Sequence, residues 1–239
     1  MHMSRTASCK KLTILTTSIK QGMRIFANMH YLVFDFETTG LDKDASTGYK
    51  PYPANVAPLP RANYPVELAA ELITADGTVL RSMRTLITGA ERLAPWVLEH
   101  CPHLSVGDCE QYGVQFAEAV RALAEMVEEG TECTLVAHNI QYDWDDVLVA
   151  TAREQDLDSP AWTKLRSLPR FCTCVNEAHK AKRTSYYFKK IGKWVGPNLG
   201  KLAKSCGVEY DETCAHDAPY DVRVTSECLV AMLAANDVA

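Results

Sequence analysis

The pattern of apolar positions along the chain predicts strands first and helices later. Residues 31–36 are an apolar run typical of a buried strand, and two strand-like segments flank the hairpin signal "ADG". Further on, apolar residues recur at helical spacing between short apolar runs. The predicted strands are residues 31–36, 66–74, 78–88, 133–137 and 170–174, and the predicted helices are residues 111–129, 142–154, 198–206 and 217–235.

The order of these elements predicts the fold class. The strands first follow one another as a meander and then alternate with helices, which predicts an α/β fold with a mixed central sheet and helices on its faces. Residues 42–65 interrupt the pattern with five prolines and are expected to be a loop, because proline cannot donate to a strand ladder. Residues 29–239 are expected to form this domain.

Residues 1–28 differ in composition from the rest of the chain. The first 34 residues contain no Asp or Glu, five Lys or Arg and seven Ser or Thr. This composition is typical of a mitochondrial or plastid targeting segment. A flexible extension, or an upstream start codon, is the favoured interpretation, since Met29 stands directly before the first predicted strand.

The nine cysteines are scattered without paired spacing. A chain with its own core has little need of disulfides, so a reducing intracellular compartment is expected. The tightest His and Cys groups, within residues 100–109 and 172–179, lack the Cys-x-x-Cys spacing of a closed zinc site. Buried, inert thiols are the favoured interpretation, with zinc as the alternative. No apolar run approaches the roughly 18 residues of a membrane span, so no membrane partner is expected.

The first predicted strand ends in two acids, within "YLVFDFETTG". Side chains alternate along a strand, so Asp35 and Glu37 point to the same face and Phe36 to the other. Two like charges at the end of a buried strand repel each other and are costly to desolvate. A divalent cation would offset both costs. The alternative is a strand tip that lies in solvent.

A second acid follows the predicted strand at residues 133–137. In "LVAHNIQYDWDDVL", Asp143 enters the first turn of a helix whose inward face is expected to continue through Val147 and Ala150. Asp145 and Asp146 lie off this face, where the helix dipole accounts for them.

A third acid heads the last predicted helix, in "AHDAPYDVRVTSECLVAML". Asp217 suits the N-cap position, so capping does not explain Asp221, which begins an apolar, core-facing stripe. An acid there needs a compensating charge. His216 precedes the helix, where an imidazole can act as a base near neutral pH.

Three motifs, "FDFETTGL", "HNIQYD" and "HDAPYD", resemble those of the DEDDh 3′→5′ exonucleases, the family that includes the proofreading subunit of bacterial DNA polymerase III. The resemblance implies a ribonuclease H-like fold in which four carboxylates hold two Mg²⁺ or Mn²⁺ ions. It further implies that His216 is the general base and that 5′-mononucleotides are released. The implied metal ligands, which are also catalytic, are Asp35, Glu37, Asp143 and Asp221.

The same resemblance implies contacts to the substrate. Thr38 and Leu41 match positions that seat the terminal nucleotide, and Asn139 matches the second motif, although it also fits a role in orienting the turn. Tyr142 stands where many members have Phe.

Residues 180–204 combine eight Lys or Arg with four aromatic residues and contain no acid. The rest of the chain has 17 basic and 30 acidic residues, so the basic character is concentrated here. Cations neutralise phosphates and aromatic faces stack on bases, which suits a single strand bound without sequence readout. A solvated loop is the alternative. The candidate substrate-binding residues of this segment are Lys182, Arg183, Tyr186, Tyr187, Lys189, Lys190 and Trp194.

The leading hypothesis is a metal-dependent exonuclease that acts on single-stranded 3′ ends of DNA. An exoribonuclease or a short-oligonucleotide hydrolase is the alternative, because the motifs recognise phosphate geometry and not the sugar. A catalytically silent nucleic-acid-binding module is disfavoured, because all four acids and the histidine are present. Action as a subunit beside a polymerase or other replication partner stays open. The proline-rich loop at residues 42–65 is expected to form part of the rim of the site.

Overall fold

A five-stranded mixed sheet forms the centre of the protein. The computed structural model describes residues 29–41, 59–176, 186–188 and 193–235. In these residues the strand order is β3-β2-β1-β4-β5. The strands are β1 (His30–Thr38), β2 (Pro65–Thr74), β3 (Val79–Leu86), β4 (Cys133–Ala137) and β5 (Arg170–Cys172).

The pairing confirms the predicted mixed sheet. Strands β1, β2 and β3 pair antiparallel, as the hairpin signal indicated, and Gly77 in the turn has a φ of 87°, which glycine adopts without strain. Strands β1 and β4 pair parallel, as do β4 and β5. The carboxyl ends of β1 and β4 therefore lie at the same edge of the sheet, where both motif-bearing segments leave it.

Helices surround this sheet. They are α1 (Pro95–His100), α2 (Val106–Tyr112), α3 (Phe116–Glu125), a π-helix (Gln141–Val149) that continues into α4 (Ala150–Glu154), α5 (Pro160–Ser167), α6 (Leu199–Cys206), a 3₁₀ turn (Glu212–Cys214) and α7 (Ala218–Ala234). A separate hairpin pairs β6 (Tyr186–Phe188) with β7 (Lys193–Val195).

Strand β1 divides the core into two layers. Leu32 and Phe34 pack in a cluster with residues of α3, the π-helix and α5. Tyr31 and Val33 pack with Val222 and other residues of α7. Because side chains alternate along a strand, Asp35 and Glu37 belong to the α7 side of β1.

Two predicted helices differ from the structure. The predicted helix at 111–129 is interrupted at Gly113, whose extended backbone (ψ 164°) ends α2, and only residues 116–125 form the regular helix α3. The predicted helix at 142–154 begins as a π-helix, and its inward side chains are Val147 and Leu148. Ala150 is exposed, so its predicted inward position was wrong; the wider i→i+5 winding moves the inward face.

The described residues bear on the predictions about the cysteines and a membrane span, but not on those about residues 1–28 and most of the proline-rich loop. All eight cysteines among the described residues are free, and five of them are buried. Within the described ranges, no helix is long and apolar enough to cross a membrane. Residues 1–28 and most of the proline-rich loop, 42–58, lie outside the described residues, so the targeting segment and the loop stay predictions.

Gly196, which follows β7, provides a test of the packing that attaches the small hairpin to the sheet. A Cβ at this position would lie 2.0 Å from the carbonyl oxygen of Cys174. We expect Gly196→Ala to lower the free energy of unfolding by about 1–3 kcal/mol, the usual cost of overpacking, as measured by urea denaturation.

Gly107 in α2 is the matched control for this substitution. The nearest atom to its added Cβ is the Ser105 Oγ at 3.8 Å, so Gly107→Ala should be neutral or stabilise by up to about 1 kcal/mol. Equal stability of Gly196→Ala and the wild type would contradict the packing argument.

Candidate active site

Asp35 and Glu37 place two carboxylates side by side at the end of β1. Glu37 is buried and Asp35 is half-buried. Burial is the largest cause that raises the pKa of Asp35 well above its ordinary value, and the negative charges of Asp143, Glu37 and Asp221 add to it. Burial is also the largest cause that raises the pKa of Glu37, and the negative charge of Asp221 raises it further. These electrostatic effects show that the acids of all three motifs lie close together.

Asp143 reaches β1 from the π-helix. Its carboxyl Oδ1 accepts a hydrogen bond from the backbone N–H of Phe36, at 3.1 Å, between the two β1 acids. The turn that precedes the π-helix is made by Asn139, whose φ of 66° is left-handed, a conformation that Asn tolerates better than most residues. Asp143 is only 2% exposed, and burial raises its pKa to about 7 although the Phe36 N–H acts in the opposite direction.

Asp221 and His216 complete the site from the α7 side. The backbone N–H of His216 donates to Asp221 Oδ2 at 3.2 Å, and burial raises the pKa of Asp221 to about 6. Glu37, His216 and Asp221 each offer one potential metal-ligand atom, and these three atoms lie within 4.8 Å of one another. Burial, followed by the charge of His100, lowers the pKa of His216 from its ordinary value. His216 also has a left-handed φ of 64°, a strained conformation typical of functional sites.

The donor set fits divalent cations. Asp221 Oδ1 is buried and has no hydrogen-bond partner among the described residues. Each of the four carboxyl pKa values is raised, which means that the ionised forms lack a sufficient counter-charge in the protein itself. Carboxylate oxygens are the ligands that Mg²⁺ and Mn²⁺ prefer.

A charged network beside these acids was not predicted from the sequence. Glu67 lies opposite Glu37 in the β1–β2 register and is fully buried. Its two carboxylate oxygens contact Arg84 Nε at 2.6 Å and His103 Nε2 at 3.2 Å. Asp217 Oδ1 lies 3.8 Å from Arg84 and 3.9 Å from His103. The signal that could have indicated the network is an acid in the apolar run "PVELAAEL".

This network corrects the predicted role of Asp217. The residue stands at the N-cap position of α7, but its side chain makes no capping hydrogen bond. Its carboxylate instead faces the Arg84 and His103 side chains. The residue next to His216 thereby lies beside Arg84 of β3 and beside His103, which follows α1.

The predicted substrate-binding residues divide into four groups. Thr38 is buried, its hydroxyl lies 2.8 Å from that of Tyr142, and Leu41 is half-buried at the end of the same segment. Asn139 is exposed in its turn. Tyr187 and Trp194 are exposed partners in the small hairpin, which also includes Tyr186. Lys182, Arg183, Lys189 and Lys190 lie outside the described residues.

The cysteine-rich segments do not form a zinc site in the described part of the chain. The two groups of side chains with metal-ligand spacing there, Glu37–His216–Asp221 and Glu67–His103–Asp217, contain no cysteine. The Cys101 thiol is buried and donates to Glu37 Oε2 at 3.7 Å. Burial raises its pKa, as expected for an inert thiol.

Comparison with known families agrees with this geometry. The model of the RNase_T exonuclease family matches residues 32–229. The chain belongs to this family. RNase_T exonucleases are of the DEDD type, and the resemblance seen in the three motifs and the predicted ribonuclease H-like fold are both confirmed. No curated protein matches the sequence.

Solved structures share the fold of this RNase_T member. Exonuclease I from Methylocaldum szegediense is 15% identical, with a TM-score of 0.57 over 85% of this chain and 40% of its own. Escherichia coli exonuclease I in complex with a dT13 oligonucleotide is 18% identical, with a TM-score of 0.55 over 85% of this chain and 41% of its own. The present chain thus spans about two-fifths of the length of these proteins.

The raised pKa values predict how this site responds to pH and metal. The folded protein holds protons on Asp143 and Asp221 more tightly than the unfolded chain does, so the metal-free protein should lose stability as pH rises from about 4 through about 7. Asp143→Asn keeps the acceptor for the Phe36 N–H but removes the charge. We expect it to be more stable than the wild type in EDTA at pH 8, by at least about 1 kcal/mol, and to gain less from added Mg²⁺.

Thermal unfolding measured at pH 5 and pH 8, with EDTA or Mg²⁺, checks this expectation. Asp145→Asn is the matched control, since Asp145 is exposed on the same π-helix and should behave like the wild type. A metal-free wild type that gains stability between pH 5 and pH 8, or an unchanged response to Mg²⁺ in Asp143→Asn, would argue against the metal site.

Proposed function

We propose that this chain is a metal-dependent 3′→5′ exonuclease that hydrolyses single-stranded DNA from its 3′ end and releases 5′-mononucleotides. The observation that carries the proposal is the convergence of four carboxylates and one histidine, from three distant segments, at the carboxyl end of β1. Membership of an exonuclease family supports hydrolysis of nucleic acid 3′ ends as the general reaction.

Asp35, Glu37, Asp143 and Asp221 would hold two Mg²⁺ or Mn²⁺ ions. Bound there, the ions supply Lewis-acid stabilisation of the negative charge on the scissile phosphate and on the departing 3′ oxygen. The burial of Asp143 and Glu37 strengthens this electrostatic effect, because the effective dielectric constant is lower away from water.

His216 supplies the general base. Its lowered pKa keeps the imidazole neutral near pH 7, so a ring nitrogen is able to accept a proton from the attacking water. The water oxygen bonds to phosphorus as the bond to the 3′ oxygen breaks, and the 3′ oxygen takes a proton to become the new 3′-hydroxyl. The proximity of His216 to Glu37 and Asp221 supports this role, because the base must lie beside the reacting phosphate.

The segment after β1 would seat the terminal nucleotide. Thr38 is fixed by its hydrogen bond with Tyr142, and its hydroxyl accepts the N–H of Gly40 at 3.3 Å. The end of the proline-rich loop returns to the same segment, where the N–H of Asn63 donates to the Gly40 carbonyl at 2.8 Å. These contacts support the prediction that this loop lines the rim.

The small hairpin would bind the strand that leads into the site. Tyr187 and Trp194 are cross-strand partners with ring centroids 5.8 Å apart, and they are 50% and 43% exposed. Large exposed rings on a basic segment suit stacking on unpaired bases. The hairpin is attached to the sheet near the second motif, since the Pro197 carbonyl lies 3.1 Å from His138 Nε2 and accepts from the Cys174 thiol.

DNA is favoured as the substrate because similar solved structures are of exonuclease I bound to DNA oligonucleotides. The distinction from RNA rests on contacts to the 2′-hydroxyl, so both sugars belong in the assay. A polymerase or replication partner and a mitochondrial or plastid location stay predictions from the sequence.

The reaction is tested with 5′-labelled and 3′-labelled single-stranded DNA and RNA. We expect stepwise shortening from the 3′ end that requires Mg²⁺ or Mn²⁺ and stops in EDTA. Asp221→Asn and His216→Ala should each lower kcat by about 10²-fold or more, because each removes a group proposed to act in the transition state. Asp145→Asn should retain full activity. Cleavage that survives EDTA would overturn the metal mechanism.

The hairpin is tested separately by Tyr187→Ala and Trp194→Ala. Each should raise KM for long single-stranded oligonucleotides by about 5- to 100-fold, since one stacked base contributes roughly 1–3 kcal/mol. The kcat should stay near the wild-type value, because base stacking binds the substrate and takes no part in the proposed proton transfer. Tyr112→Ala, which changes another exposed ring in α2, is the control. An unchanged KM in both hairpin variants would remove this surface from the binding model.

A further inference from the structure

Helix α1 is attached at both ends to the segment that carries Asp35 and Glu37. Before its first residue, the N–H of Ala94 donates to the carbonyl of Thr39 at 2.8 Å. After its last residue, the Cys101 thiol donates to the carboxylate of Glu37 at 3.7 Å. Cys101 is fully buried, so this end of the helix is also held by packing. Side chains on α1 are therefore held in a defined position relative to the acids.

Two rings of α1 contact the ring of His216. Trp96 and His100 are stacked, with centroids 4.3 Å apart and an interplanar angle of 12°. His100 Nδ1 also lies 2.9 Å from the Trp96 carbonyl oxygen, which holds the stack in register. Trp96 meets His216 edge to face, with centroids 4.9 Å apart and an angle of 78°. His100 lies 6.4 Å from His216 in a similar orientation.

The imidazole of His216 depends on these ring contacts for its orientation. Its backbone N–H donates to Asp221, but within the described residues no hydrogen bond to a ring nitrogen is formed. The residue lies in a loop and has a left-handed φ, so regular secondary structure does not restrain it. Edge-to-face packing against an aromatic ring is favourable and directional, so it favours one rotamer of a ring that is otherwise unrestrained.

We propose that Trp96, supported by His100, is the positioning residue that holds the His216 imidazole in the orientation needed for proton transfer. This inference rests on the proposed function. A purely structural role fits less well, because Trp96 is 40% exposed and a tryptophan that packs the core is largely buried. Its exposure is explained by its place at the site, where its ring covers one side of the His216 imidazole.

The positioning role is tested by Trp96→Ala and Trp96→Phe on single-stranded DNA with saturating Mg²⁺. Trp96→Ala should lower kcat by roughly 10- to 100-fold with KM within about threefold, since misplacement of a catalytic group by about 1 Å has effects of this size. Trp96→Phe retains an aromatic edge and should restore kcat to within about threefold of the wild type. Leu98→Ala, at an exposed residue of the same helix, is the matched control and should be unchanged.

A second variant removes the His100 ring that stacks on Trp96 and keeps the tryptophan. His100→Leu should lower kcat by a smaller factor, about 3- to 10-fold, again without a change in KM. Thermal unfolding and far-ultraviolet circular dichroism of each variant establish that the fold is retained. A higher KM with an unchanged kcat in Trp96→Ala would overturn the proposal and assign the ring to direct contact with a nucleobase.

A double-mutant cycle distinguishes an effect of Trp96 on the rate that acts through His216 from an effect that is independent of His216. Under single-turnover conditions with enzyme in excess, Trp96→Ala should change the rate of the His216→Ala variant less than twofold. A further tenfold loss would show that Trp96 acts without His216 and would overturn the proposal. Failure of the proposed function looks different, because the wild type itself would then show no metal-dependent cleavage from the 3′ end.

Discussion

The arrangement of the site requires that mutually repelling carboxylates be held together at the carboxyl end of β1. The hydrogen bond from the Phe36 N–H to Asp143 joins the π-helix to β1 at the position between Asp35 and Glu37. On the other side of β1, α7 packs through Val222 and Leu229 and brings Asp221 to the same place. Hydrophobic packing of α7 and of the π-helix therefore supplies the free energy that opposes the charge repulsion.

The need to offset repulsion between buried carboxylates also explains the charged side chains that surround the site. Glu67, directly opposite Glu37, would add a further buried negative charge; Arg84 compensates it, and His103 Nε2 lies within hydrogen-bond distance of the same carboxylate. Removal of one partner of such a buried group is costly, so the network is maintained as a unit. Through Asp217 it also restrains the loop that carries His216, while Trp96 contacts the imidazole directly. The loop that carries His216 is thus restrained by the charged contacts of Asp217 and by ring packing on the His216 side chain.

Several elements were predictable because their determinants are local. The apolar run of β1, the hairpin around Gly77 and the strand β4 follow from residue pattern and turn chemistry, and their bounds agree with prediction to within a few residues. Helices α1, α2 and α5 were missed. They are six to eight residues long, too short for a clear helical period, and α1 is stabilised by its contacts with Thr39 and Glu37.

The candidate site likewise has features that the sequence determines and features that only the tertiary structure decides. The sequence by itself determined which acids and which histidine are the candidates for the chemistry, because residue type, strand alternation and the order of three motifs are all linear properties of the chain. Only the tertiary structure decided that Asp143 is hydrogen-bonded to Phe36, that Glu67 of β2 lies opposite Glu37 of β1, and that Trp96 contacts His216. These are contacts between residues 30 to 120 positions apart, and they are set by how helices pack on the sheet and how buried charges find partners. No local pattern encodes that arrangement.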